Sequence, residues 1–599
     1  MQFLADRGVS HVFVLPGGGA IHLVDSLGSC ESLDYTCFLH EQALAIATEA
    51  YGQYTNTPGV GLVTSGPGAT NATTGVAAAF IDSTPCLFIS GQAKRADLKG
   101  TTGVRQMGPQ EVDIVSMVSP VTKYAVTVFE PSEIRYHLER AWHEATTGRM
   151  GPVWVDIPMD VQAVEIDPTA LAGFTPTDVY TWSPDADDTL ERVAALLDSA
   201  VRPLILAGNG VSRAGAEQLL VEFAEANQVP VLLTWKAIDL LDYEHPLNFG
   251  SPGILGGRTA NFIVQNCDLL LVIGSRLDSS LTAFNPAAFG KHAKKVMVDI
   301  DAAEIRKIEG VEVPLVADAK SFMEALQATP LKAPGGDRKL WLDYCRQLRE
   351  RYPAVLDEHR EVADGVNLYV FTEALFNHLE GDDLITPESS GAAGEVIYQA
   401  ARVTKGQKIR NAAGLGAMGF GLPYAIGACI ACDQRRTILV DGDGAFQLNI
   451  QELQTLARLQ LPVKIFILEN GGYASIRMTQ NNMFDGRYVA SSPESGLTFP
   501  DNGVVAAAYG IRCERATSHA DLDEAIVRTL AGDDPAVCIV SVSPSQVTAP
   551  KVAAMKTPEG SMISKPLEDM WPYLEAEEIE RNMIAESGEK SRTKGVAQS

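Results

Sequence analysis

Two apolar strands that each end in a glycine turn constrain this chain more than any other feature. Thr437-Ile-Leu-Val-Asp441 runs into Gly442-Asp443-Gly444. Val463-Lys-Ile-Phe-Ile-Leu468 runs into Asn470-Gly471-Gly472, with Asn470 27 residues after Asp443. Apolar runs of this kind, separated by helical pattern, read as strands of a parallel sheet covered on both faces, so both turns return to one sheet edge. Gly444 is expected to open a helix beginning near Leu448. Free amides beside a carboxylate at such a turn suit a diphosphate and its divalent cation. Asp443, Asn470 and a carbonyl of the Gly471-Gly472 turn, assigned to Gly472, are the expected magnesium ligands; Gly442, Gly444 and Ala445 are expected at the diphosphate.

At 599 residues the chain exceeds one core and suggests about three or four domains. Alternating strand and helix patterns predict an α/β fold of three doubly wound parallel-sheet domains, over 1–168, 179–332 and 365–548, with a partly disordered C-terminal tail over 549–599. The strands that carry this reading begin with His11-Val-Phe-Val-Leu15, Gly59-Val-Gly-Leu-Val-Thr64, Pro85-Cys-Leu-Phe-Ile-Ser90 and Gly151-Pro-Val-Trp-Val-Asp156. Those of the middle unit are Pro203-Leu-Ile-Leu-Ala207, Leu269-Leu-Leu-Val-Ile273 and Lys295-Val-Met-Val-Asp299. Phe174-Thr-Pro-Thr-Asp178 reads as a linker and Ala333-Pro-Gly-Gly-Asp337 as the next boundary.

Composition narrows the function classes. The net charge of −27, with no basic stripe, argues against nucleic acid. No uncharged apolar run reaches the ~18 residues of a membrane span. The start, Met1-Gln-Phe-Leu-Ala-Asp-Arg, shows no secretory signal, and nine scattered cysteines fit a reducing cytoplasm. Cys429-Ile-Ala-Cys432 lies in an Ala/Gly-rich apolar run and has no second pair to complete a zinc site, so it reads as helix core.

Further candidates stand near the turns. Glu41, in His40-Glu41-Gln42, closes the strand Tyr35-Thr-Cys-Phe-Leu39 and opens a helix from Ala43 to Tyr54; read alone it is a helix N-terminal charge. Met418 sits in the glycine-rich run Gly414-Leu-Gly-Ala-Met-Gly-Phe-Gly421, 25 residues before Asp443. Thr64-Ser-Gly-Pro-Gly-Ala-Thr-Asn71 is a strand-to-helix turn that fits neither common nucleotide fingerprint, and Glu388-Ser-Ser-Gly-Ala-Ala-Gly394 offers small residues and hydroxyls at another turn, with a helix cap as the rival reading.

Taken together these segments resemble the thiamine diphosphate (ThDP) enzymes, and within them the acetolactate synthase-like carboligases that decarboxylate 2-oxo acids. The resemblance runs from about Gly8 to about Thr548. It implies that Glu41 contacts the cofactor's pyrimidine ring and promotes proton loss from the thiazolium carbon. Met418 would wedge the two rings together. Gly66, Pro67 and Asn71 would line the pyrimidine end across a subunit interface, and Ser390, Gly391 and Gly416 would lie at the diphosphate side. One departure is visible: Glu469 precedes Asn470 where many relatives have a second asparagine.

On the substrate side, Gln110-Glu111-x-Asp113 resembles the Gln-Glu-Ala-Asp element of acetolactate synthases. Gln110 would orient substrate, and Pro109 stands where a phenylalanine is common. No His-His pair of the pyruvate decarboxylase kind occurs in this region, which favours carboligation. Asn470-Gly-Gly-Tyr-Ala-Ser-Ile-Arg-Met-Thr-Gln480 and the Pro566-Leu-Glu-Asp-Met-Trp571 tail resemble enzymes of branched-sugar synthesis. Tyr473, Ile476 and Arg477 would then line an acceptor pocket, for a ketone or a nucleotide-linked keto sugar. The tail's aromatic segment is expected to lie in disorder-flanked chain or to fold back over the site. The middle unit resembles the FAD-type domain, through Gly208-Asn-Gly210, Gly256-Gly-Arg258, Gly274-Ser-Arg276 and Asp299-Ile-Asp301. Its dinucleotide fingerprint is not clean, so the resemblance allows FAD without requiring it. A homodimer or homotetramer with active sites between subunits is implied. A decarboxylase or lyase on another 2-oxo or 2-hydroxyacyl substrate, and an inert ThDP-fold binding protein, are the alternatives.

Overall fold

In a computed structural model, the structure describes residues 1–177, 187–332, 338–543, 546–556 and 562–585. The expected 333–337 boundary and the expected disorder at 587–599 lie outside them.

Three parallel sheets organise the chain. The first contains β1 (His11–Val14), β2 (Asp34–Cys37), β3 (Gly59–Val63), β4 (Cys86–Gln92), β5 (Tyr124–Thr127) and β6 (Pro152–Pro158), in the order β2-β1-β3-β4-β6-β5. The second contains β7 (Pro203–Ala207), β8 (Val231–Leu233), β9 (Leu269–Ile273), β10 (Lys294–Asp299) and β11 (Val311–Val316), ordered β11-β10-β9-β7-β8. The third contains β12 (Leu384–Pro387), β13 (Lys408–Ile409), β14 (Thr437–Gly442), β15 (Val463–Glu469), β16 (Arg512–Ala516) and β17 (Ala536–Ser541), ordered β13-β12-β14-β15-β17-β16. The first and third orders are the same permutation, so these units share one topology.

The central strands form because nearly every side chain in them is apolar and both faces are covered. In β15 all residues but Glu469 are buried, including Lys464, whose Nζ donates to the carbonyls of Ala531, Gly532 and Asp534. In every sheet the order reverses between two adjacent strands: β1 and β3, β7 and β9, β12 and β14. Crevices for ligands open at such points, outside the carboxyl ends of the strands.

The first and third units share a core. The helix Glu41–Thr55, capped by His40 Nδ1 accepting from Gln42 N, packs against the helix Gly421–Ala431. Contact is close because Gly427 has no side chain: a Cβ there would lie 2.4 Å from the Ala47 carbonyl oxygen. Cys429 is buried in that second helix, as core. Where the three units meet, buried charges pair. Lys236 Nζ lies 2.7 Å from Asp82 Oδ2, and Arg410 lies 2.5 Å from Asp239.

The chain beyond β17 straps onto the middle unit. β18 (Lys551–Val552) pairs antiparallel with β21 (Met570–Trp571), and β19 (Ala554–Lys556) with β20 (Met562–Ser564). Arg258 donates to the carbonyls of Met570 and Pro572, and Asn261 to that of Leu567. No helix among the described residues is long and apolar enough to cross a membrane.

Candidate active site

The crevice between β12 and β14 gathers the sequence-predicted diphosphate residues. The helix at the Gly-Asp-Gly turn starts at Asp443 and runs to Phe446, before the Leu448 expected for it. A 3-10 stretch, Gln447–Glu452, follows, kinked at Asn449 with φ −135°. Asp443 therefore sits in the first turn of the helix with its carboxylate turned across to the end of β15. Its Oδ2 accepts from the amides of Asn470 (3.0 Å) and Gly471 (2.7 Å). Its Oδ1 is buried with no hydrogen-bond partner among the described residues. Burial pushes this carboxyl up to about 6; the Gly471, Asn470 and Gly444 amides pull it back, and the Glu469 charge adds to the rise. A buried carboxylate with one oxygen pinned by two amides and the other unmatched is arranged to meet a cation.

The surrounding backbone is close-fitted. Gly444 abuts the Tyr473 ring, where a Cβ would fall 2.6 Å away, and Tyr473 packs on Phe499 at 5.9 Å between centroids. Gly391 has φ +73° and faces Ser475 Oγ, which a Cβ would approach to 3.4 Å. The turns at 388–391, 442–445 and 470–475 thus meet in one place. Ser389, the neighbour of the predicted Ser390, anchors the glycine-rich run by accepting from Ala412 N at 3.1 Å. Gly416 (φ +65°) and Gly419 (φ +79°) bend that run, leaving Met418 38% exposed between them.

A second group lies in the first unit. Glu41 is buried and its Oε2 accepts from Asn71 Nδ2 at 3.0 Å, while Oε1 would lie 3.4 Å from a Cβ on Gly68. Pro67 opens the short helix that carries Asn71. Gly66 (φ +59°) backs onto Gln110, whose carbonyl oxygen would sit 2.5 Å from a Cβ there. Gln110 is exposed and itself holds φ +60°, a strained setting typical of functional loops. Its neighbours are structural. Glu111 accepts from Lys99 N and Met107 N, and Asp113 caps the helix Ile114–Val118. No hydrogen bond or ion pair joins this group to the Asp443 group within one chain, among the described residues.

Arg477, read from the sequence toward an acceptor pocket, is engaged with main chain in this structure. Its guanidinium turns back onto the carbonyls of Asn470, Gly471 and Ser491. Ile476 stays exposed on the helix Ala474–Phe484. Sequence reasoning also missed Glu388 and Asp441, buried side by side, each oxygen within 3 Å of a Cβ at Gly421. Burial raises both carboxyls, and Glu388's proximity raises Asp441 further. Their only signal was their position, Glu388 just past β12 and Asp441 near the end of β14.

The crevice between β7 and β9 opens into a cavity of about 570 Å³. Its wall includes Gly208, Gly210, Gly274, Arg276 and Asp299, as read from the sequence, with Asp82 and Lys236 from the junction. Three expected members lie outside the lining: Gly257, Arg258, which holds the tail, and Asp301, which caps a helix and pairs with Arg149 at 2.9 Å.

Three family descriptions match the chain in sequence: "Thiamine pyrophosphate enzyme, N-terminal TPP binding domain" over 1–117, the "central domain" over 190–326, and the "C-terminal TPP binding domain" over 390–540. The acetolactate synthase large subunit of Corynebacterium glutamicum is 35% identical over 547 residues, covering 90% of this chain and 85% of that relative. The chain belongs to the acetolactate synthase family of thiamine pyrophosphate enzymes. The isozyme 2 large subunit of Escherichia coli K12 is 33% identical over 572 residues, covering 95% and 98%. The acetolactate synthase of Arthrospira platensis is 32% identical over 577 residues, covering 92% and 94%. The chain is thus a ThDP-dependent enzyme of the carboligase type, and its three sheets correspond to the three matched domains.

Proposed function

We propose that this enzyme decarboxylates a 2-oxo acid, pyruvate first among them, and transfers the two-carbon unit to a keto acceptor. The observation that carries the reading is the Asp443 carboxylate, with Oδ2 fixed by two amides and Oδ1 buried and unmatched at the third sheet's switch point. Asp443, Asn470 and the Gly472 carbonyl would hold Mg2+, and the turns at 388–391 and 442–445 the diphosphate. When bound, ThDP supplies a nucleophilic carbon able to accept and release an acyl unit.

This chain's residues do the rest. Glu41, steadied by Asn71, holds or moves a proton at the pyrimidine ring. Met418, half exposed between two positive-φ glycines, supplies the apolar wedge. Gln110 is presented at a strained, exposed turn to orient substrate. A homodimer or larger assembly, in which each site draws on two subunits, is the proposed state, as the family resemblance implies. The cavity beside Gly208 and Gly274 is of a size to admit most of a flavin dinucleotide, so FAD is the proposed occupant. Protein that retains no flavin absorbance after incubation with FAD and desalting would assign the cavity no flavin.

The test is incubation with ThDP, Mg2+ and pyruvate, followed by NMR. Acetolactate formation is expected. Pyruvate loss without ligation would make the enzyme a decarboxylase, and turnover only with an added keto sugar would give the acceptor to that class. No turnover with any 2-oxo acid would refute the proposal.

A further inference from the structure

Arg477 leaves solvent to bind main chain. It stands on the helix Ala474–Phe484, in which no residue is buried, so no packing demand fixes its direction. Its guanidinium nevertheless makes four contacts. One nitrogen donates to the Asn470 carbonyl (2.9 Å) and to Asn470 Oδ1 (3.3 Å). The other donates to the carbonyls of Ser491 (3.2 Å) and Gly471 (3.3 Å). Ser491 O also accepts from Tyr473 N at 3.1 Å. Gln480, further along the helix, grips the same strip of chain, accepting from Ser491 Oγ (2.6 Å) and donating to Val489 O (3.0 Å).

The Asn470–Gly472 turn is therefore held from two sides. Asp443 Oδ2 takes its amides, and Arg477 takes its carbonyls. The fit leaves no slack: a Cβ on Gly472 would lie 2.5 Å from the Arg477 nitrogen and 2.4 Å from Ser491 O. Fixing the two peptides that flank Gly472 fixes where the Gly472 carbonyl and the Asn470 side chain point. Both are the ligands assigned above beside Asp443.

We propose that Arg477 is the positioning residue that keeps this turn in cation-binding shape, clamping its carbonyls so that Asn470 Oδ1 and the Gly472 carbonyl face the metal. The inference rests on the reading that Asp443, Asn470 and Gly472 hold a divalent cation. The Asn470 Oδ1 contact is among the longest of the four, so an entering cation takes that oxygen while the three carbonyl bonds remain. A planar five-donor fork suits this task, and a lysine's single ammonium does not.

The test uses the full-length enzyme with saturating ThDP and Mn2+ as the probe, titrated by electron paramagnetic resonance. Partners that orient a metal ligand are typically worth about 10–100-fold in affinity. Arg477→Ala is expected to weaken Mn2+ binding by that factor, with kcat at saturating metal near wild type and KM for pyruvate unmoved. Arg477→Lys should recover only part of the affinity, and guanidinium ion at low, non-denaturing concentration should restore it to Arg477→Ala. Because the helix buries nothing, both variants are expected to fold, and the lysine variant keeps the test alive if the alanine one does not. Unchanged Mn2+ affinity in Arg477→Ala would overturn the proposal. So would a loss confined to acceptor KM, which would return Arg477 to the substrate pocket. Failure of the wild type itself to bind Mn2+ with ThDP would remove the cation reading beneath both.

Discussion

Replacing Gly472 by alanine asks whether the second glycine turn is built for a cation. Gly472 holds φ +147°, a region that L residues rarely enter, and its substituted Cβ would fall 2.4 Å from Ser491 O. Backbone forced into such a region costs about 2 kcal/mol. To reach the 3.0 Å that real contacts keep, Ser491 must withdraw by 0.6 Å or more, which is 3.0 less 2.4. That movement gives up the bonds from Tyr473 N (3.1 Å) and Arg477 (3.2 Å) to the Ser491 carbonyl. Each is worth about 1 kcal/mol net. The cation-ready turn is then disfavoured by about 4 kcal/mol, close to three orders of magnitude in affinity. Global stability should barely change, because the helix Ala474–Phe484 buries no residue and the segment relaxes locally. Calorimetric titration with Mg2+ at saturating ThDP, beside a thermal scan of the metal-free protein, reads both quantities. Cation affinity within threefold of wild type would refute the reasoning, since the Gly472 peptide would then have no part in the site.

Glu41→Gln keeps an acceptor for Asn71 but cannot exchange a proton; ThDP binding should persist while hydrogen–deuterium exchange at the thiazolium carbon, read by NMR, falls to the rate of free cofactor. Burial raises the Glu49 carboxyl from 4.5 to about 7, against the pull of Lys236. The folded state therefore holds this proton more tightly than the unfolded one, and wild-type stability should fall as pH rises from about 4.5 to about 7, by about 3 kcal/mol. Glu49→Gln can keep the two bonds that Oε1 accepts from Gln53 and Thr84, and its melting temperature should gain on wild type across that window; parallel curves would contradict the assignment. Asp443, raised to about 6, must lose its proton to bind a cation, so Mg2+ affinity should weaken roughly tenfold per pH unit below 6, and a flat profile from pH 7 to 5 would exclude it as a ligand.

What the sequence revealed depended on burial. β7 and β9 span the same residues read from the sequence, Pro203–Ala207 and Leu269–Ile273, because strands covered on both faces are nearly uniform apolar runs. β16, Arg-Cys-Glu-Arg-Ala, and the two-residue β13 lie at sheet edges, where polar residues are tolerated and the period is lost. The helix after Gly442 begins sooner than expected because Asp443 itself occupies the first turn, and the apolar period resumes only after the Asn449 kink. Spacing brought Asp443 to Asn470, since both end neighbouring strands. It could not show the direction of a long side chain. Arg477, read toward an acceptor pocket, turns onto the main chain in the fold, a direction that residue spacing along a helix does not encode. Arg258 and Asp301 misled for the same reason: each stands beside a glycine or acidic signature yet serves the tail or a helix cap.

Each of the three parallel sheets has one switch point, and the contents of the three separate the tasks of the units. In the first sheet the crevice between β1 and β3 is filled from within: Cβ atoms at Gly17 and Gly19 would lie 2.5 Å from Thr64 Cγ2 and 2.4 Å from Ser65 Oγ, so side chains already occupy that space. In the second sheet the equivalent crevice opens into the 570 Å³ cavity. In the third it holds a charged carboxylate with one oxygen unmatched. A unit whose own switch point is filled has to contribute from another edge, and the first unit does so at the end of β2, where Glu41 begins a helix and meets Asn71. Under the proposed function, the same strand order yields a unit that donates one proton-handling carboxyl and a unit that receives phosphate and metal, the division expected if the catalytic groups of one site come from two differently specialised copies of a single fold.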